Sequence, residues 1–253
     1  MLPAIKILLI FILLKSISID ANFVTSDYLQ NAYVITNQNN LQKLDSAGNL
    51  LFHYNQNRFG ILKSVDATNP MKIILFYPDY ATVVWLDNTL TEVGLFSLKK
   101  TGIFSSSAVC FSSKDNNIWI FDDQEYKLKK IDFSGNLIIE SSDMFQLMGH
   151  AVHPVFMIER DQFLYVSDPE IGILVFDAYG TYKETLHLKN ISKFTVINNE
   201  IYYWEGKQVF VYGINSLEEK YISLPENDQA IDLSIDNNLL YLLEKENLKL
   251  YRF

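Results

Sequence analysis

One short pattern recurs six times along this chain, and the recurrence limits the fold more than any other feature. Each copy is an apolar run, ending in an acid in all but one, then a tight polar turn and a second apolar run. The first runs read YVITN (33–37), LFYPD (75–79), IWIFD (118–122), LYVSD (164–168), IYYWE (201–205) and LYLLE (240–244). The second runs read LQKLD, TVVWLD, KLKKID, ILVFD, QVFVYG and LKLYRF. Successive first runs start 42, 43, 46, 37 and 39 residues apart. Their second position is aromatic in five copies (Phe76, Trp119, Tyr165, Tyr202, Tyr241), and their fifth is acidic in five, with Asn37 in the other. A period of about 40 residues with several short strands per unit marks a β-propeller, whose units bury their faces only by stacking on their neighbours.

The turns agree with this reading. D-x-x-G follows the second run at Asp45–Gly48, Asp132–Gly135 and Asp177–Gly180, where glycine supplies the positive φ that a tight bulged hairpin needs. A third apolar run follows each such turn (NLLFHY, NLIIES, YKETLHL), and another precedes each first run, which makes four strands per unit. The expected fold is all-β, a six-bladed propeller of four-stranded antiparallel blades, rather than a β-sandwich of many hairpins. The sixth unit has three strands before the chain stops at Phe253, so its blade is expected to be three-stranded and to close on blade one by face-to-face packing. One short helical turn fits in SSDMFQLMG (141–149).

The fourth copy, LYVSD…ILVFDAYG, resembles the NHL repeat. Leu164, Tyr165, Val166, Asp168, Ile173, Val175, Phe176, Asp177 and Gly180 match its pattern, and the third copy matches through Ile118, Trp119, Asp122, Ile131, Asp132 and Gly135. The resemblance implies a six-bladed propeller. It implies no activity, because related folds host scaffolds, binding modules, lactonases and lyases.

Residues 1–21 read as a secretory signal peptide. Lys6 precedes the apolar run Ile7–Leu14, and Ser16 and Ser18 give a small-x-small site, placing cleavage near 18–21. The single propeller domain is then 22–253, and the expected location is periplasmic or extracellular. Losing Lys6 and Lys15 takes the net charge from −9 to −11. Such an acidic surface argues against nucleic acid, and against membrane once the signal is gone. The single cysteine, Cys110 in AVCFS, allows no internal disulfide and reads as a small buried hydrophobe. Trp85, Trp119 and Trp204 sit inside strands and read as core.

The strand before each aromatic run is expected to line the propeller axis. These strands fall near 23–29, 62–68, 105–111, 151–158, 192–197 and 230–235, and they carry small residues such as Ser64, Ala67, Ser107 and Ser234. Against that background Asp27, Asp66, His150, His153 and Asp232 form a candidate channel ring. Asp66, Asp232 and His150 are its candidate ligands for calcium or zinc, since carboxylates and imidazoles suit those ions. On a strand, His150 and His153 would point to opposite faces. No nucleophile elbow, phosphate loop, HExxH or CxxC occurs, and no catalytic residue or cofactor site is assigned. The expected function is that of a monomeric binding or scaffolding module for a protein partner. A lactonase-type metal-dependent hydrolase and a carbohydrate-binding module are the alternatives.

Overall fold

A computed structural model describes residues 5–225, 230–236 and 238–253. The chain divides into two compact units, Met1–Gln56 with Phe194–Phe253, and Asn57–Lys193. Each contains three antiparallel blades.

The second unit holds blades two to four. Blade two is β7 (Ser64–Asp66), β8 (Ile73–Tyr77), β9 (Thr82–Leu86) and β10 (Glu92–Ser97). Blade three is β11 (Ser106–Ser112), β12 (Asn117–Asp122), β13 (Lys127–Ile131) and β14 (Leu137–Glu140). A helix of one turn, α1 (Met144–Met148), leads to blade four: β15 (Phe156–Arg160), β16 (Phe163–Asp168), β17 (Gly172–Asp177) and β18 (Tyr182–Leu186). Each is a simple meander in which strands one to four lie side by side.

In the first unit, blade one is β3 (Ala21–Ser26), β4 (Ala32–Thr36), β5 (Asn40–Leu44) and β6 (Leu50–Asn55). Blade five is β19 (Phe194–Ile197), β20 (Glu200–Glu205), β21 (Gln208–Gly213) and β22 (Glu219–Ser223). A short strand β1 (Ile5–Ile7) pairs in parallel with β22. Blade six takes β23 (Ala230–Asp236), β24 (Leu239–Glu244) and β25 (Asn247–Arg252) from the C-terminal stretch, the three strands expected there. Its fourth strand is β2 (Ile12–Ser18), antiparallel to β25. Closure by face-to-face packing alone is therefore corrected. Chain that leaves β2 enters β3 within three residues, so the N-terminal stretch stitches blade six to blade one.

The recurring runs became strands two and three because of where they pack. Strands β4, β8 and β24 are buried at every position, and β12 and β16 at every position after the first. A strand covered on both faces reads as a continuous apolar run instead of an alternating one. Outer strands β6 and β14 are mostly exposed. Between blades three and four, Trp119, Phe121, Leu128, Leu164, Val166, Leu174 and Phe176 share a core that also buries Cys110. Burial pushes the Cys110 thiol well above its usual range, which keeps it protonated. Blades six and one share Val24, Val34, Tyr241, Leu243, Leu248 and Leu250 in the same way.

The D-x-x-G turns share one geometry. In each, the aspartate carboxylate accepts the N–H groups two and four residues on: Ala47 and Asn49 for Asp45, Ser134 and Asn136 for Asp132, and Tyr179 and Thr181 for Asp177. Gly48, Gly135 and Gly180 take φ of 76°, 86° and 77°. Asp87–Thr91 makes the same turn with Leu90 at φ 59° in place of glycine.

Candidate functional site: a binding face

The meander gives every blade two unlike ends. Turns from strand one to two and from three to four lie at one, the hairpin end. Turns from two to three, and the connection to the next blade, lie at the other, the handover end.

That polarity separates the candidate channel residues. Asp27 and Asp66 stand at the hairpin ends of blades one and two, just after β3 and at the end of β7. Asp232 lies near the start of β23, towards its handover end. His150 and His153 are not on a strand, because the inner strand of blade four begins only at Phe156, and both are exposed in the handover connection.

The carboxylates hold backbone. Asp27 accepts from Leu29 N, Asn31 N and the Tyr33 hydroxyl, and burial with this neighbouring carboxylate pushes the Tyr33 phenol far above its ordinary range. Asp66 accepts Phe111 N at 2.7 Å, tying β7 to β11 of the next blade. Asp232 accepts Val24 N at 2.8 Å, tying β23 to β3. Among the described residues, no group of three or more His, Cys, Asp or Glu side chains is placed to hold a metal ion.

The handover end of the second unit has a different character. Its loops expose Ile61 (69 %), Tyr80 (57 %), Phe104 (58 %), Phe145, Leu147 and Val155. The hairpin end of the same three blades is made largely of the aspartate-capped turns, and its exposed large apolar groups, Met71, Val93, Leu137, Phe163 and Tyr179, stand beside those turns or at the first residues of the strands that follow. Buried and capping acids fix the handover loops. Asp79 accepts Ile61 N. Asp143 caps α1 by accepting Phe145 N and Gln146 N. Asp168, the acid of the recurring motif, accepts Glu170 N and reaches across to His153 N at 2.7 Å. Tyr126 then packs at a tilt against Phe145 and edge-on against His153, at ring separations of 5.9 and 6.5 Å. Apolar side chains on loops that a rigid scaffold holds in place are the usual material of a binding surface.

Sequence periodicity passes over this face, because its residues lie in connections where neither strand nor helix spacing operates. The available signal was local: single large apolar residues beside glycine in RFGILK and TGIFSS, where a solvated loop has no need of them.

No family model matches the chain, and no curated protein does. Solved structures do. Virginiamycin B lyase from Staphylococcus aureus aligns with a TM-score of 0.69 and 9 % identity over 96 % of this chain and 99 % of that one. The Pan2 WD40 domain of Neurospora crassa gives 0.69 and 10 % over 99 % and 97 %. BamB from Moraxella catarrhalis gives 0.57 and 13 % over 97 % and 98 %. The chain has the six-bladed β-propeller fold. At such low identity the likeness extends to fold alone.

Proposed function

We propose that this chain is an exported β-propeller that works as a protein-binding module, with the handover end of its second unit as the recognition face. The observation that carries the reading is the set of exposed apolar side chains on the handover loops, most of which Asp79, Asp143 and Asp168 pin in place. A pinned loop loses little conformational freedom when a partner docks, so more of the contact energy appears as affinity. Export is supported by the charged start, the apolar run Ile7–Leu14 and the serines that follow.

The test uses Phe104→Asp and Phe145→Asp together. Both side chains are exposed, so the melt should stay within a few degrees of the parent. Affinity for any partner recovered with the parent protein should fall at least about thirtyfold, the scale of losing one central apolar contact. A variant that retains every partner at parental affinity would rule out this face.

A further inference from the structure

We propose that the β25 edge of blade six is a strand-binding site, filled within the chain by β2 and opened to a partner's strand when the N-terminal segment is removed. The inference rests on the export reading only for how the site opens.

The two sides of this pairing are unequally anchored. On β25, Leu248, Leu250 and Tyr251 are buried in the blade cores, against which Phe11 and Ile17 of the N-terminal stretch also pack. On β2, Ile12, Leu13 and Leu14 are exposed, and the register slips between Leu13 and Lys15. Backbone pairing runs from Ile12 opposite Arg252 to Ser18 opposite Asn247. A well-built edge held by a lightly anchored occupant is the arrangement that β-strand addition requires.

The anchors β2 does have define what else would fit. Ile17 lies over Gly48 so closely that a Cβ on the glycine would come within 2.6 Å of its Cδ1 atom. Two residues earlier, and so on the same face of the strand, the Lys15 ammonium donates to Asn49 Oδ1 at 3.3 Å. It also lies close enough to Asp45 to favour that group's charged form. Phe11 packs against Tyr251 and Phe253 just ahead of the strand. The site therefore selects an extended segment with a base two residues before a branched aliphatic side chain, laid antiparallel to β25, with an aromatic residue further upstream. Its occupant is a strand of that sequence from a partner protein.

The experiment keeps the full chain. A protease site is placed between Ile19 and Asp20, the protein is folded and then cut, and a labelled peptide of sequence FILLKSISI is added. The peptide should replace the cut fragment, as read by fluorescence polarisation. Ile17→Asp in the peptide should weaken its binding by at least about tenfold, because a carboxylate would be desolvated over Gly48. Lys15→Glu should weaken it as well, by reversing the charge facing Asp45. If the labelled peptide does not enter the cut protein, or if all three peptides bind alike, the site does not exist. N-terminal sequencing of the exported protein tests the other reading separately: a chain that still begins at Met1 removes the proposed route of opening and leaves the exchange result standing.

Discussion

Glu159 shows how a single residue organises its surroundings. It is fully buried and accepts from the Ser112 and Ser113 hydroxyls, the Lys114 N–H and the Trp119 indole at 2.7 Å, joining β15 to β11 and β12. Removing the carboxylate takes this acceptor from the buried Ser112 hydroxyl and Trp119 indole, while the exposed Ser113 and Lys114 can turn to water. Glu159→Ala should cost at least about 2 kcal/mol, measured by urea denaturation, since each unsatisfied buried donor costs about 1–3 kcal/mol. A loss under about 1 kcal/mol would mean that water takes over the acceptor role. Backbone conformation decides two other positions. Exposed Gln30 sits at φ 65°, so Gln30→Gly should raise stability by up to about 1 kcal/mol, the strain relieved exceeding the added freedom of the unfolded chain. Gly48→Ala should do the reverse and lower the melting temperature, because both the positive φ and the contact with Ile17 oppose a Cβ.

Among elements, the aspartate-capped turn is the repeated device, and it makes stability depend on pH. Hydrogen bonds from Asn49 hold the Asp45 carboxyl below its usual pKa, and those from Asn136 do the same for Asp132. A depressed folded pKa means that the stabilisation is fully present above the ordinary value of 3.8 and is lost as pH falls through the lower, folded value. Melting temperature should therefore drop between pH 4 and pH 2 by more in the parent than in an Asp45→Asn, Asp132→Asn variant, which keeps an acceptor oxygen and has no charge to lose. Parallel curves for the two proteins would show that these turns do not set the acid limit. The same device explains why the recurring acids were legible: a carboxylate at a fixed distance from glycine or asparagine is a local arrangement, complete within five residues.

At the scale of the whole molecule, β25 matters most. It lies between β24 and β2 inside one sheet, and its leucines fill the core that blades six and one share. Deleting Asn247–Phe253 removes the partner of β2 and at least two fully buried leucines. Burying one leucine contributes about 1.5–3 kcal/mol, and whole domains are stable by about 5–15 kcal/mol. The truncated chain should lose its cooperative melt; a transition within a few degrees of the parent would contradict this account of closure. What the sequence determined alone was everything that repeats or closes locally: six units, the identity of strands two and three, the capped turns, the helical turn at 144–148 and the burial of Cys110 and Trp119. Tertiary structure decided what depends on residues far apart in the chain. Asp66 and Asp232 became ties between blades because, beside the local N–H groups of Thr68 and Leu233, their second oxygens meet N–H groups 45 and 208 residues away, on Phe111 and Val24. The histidines fell in a loop because the inner strand of blade four starts only where β16 offers it a partner. Ile12–Ser18 became a strand for the same reason: its apolar run carries no β-period of its own, and only the open edge of β25, at the other end of the chain, supplies the hydrogen bonds that draw it out straight.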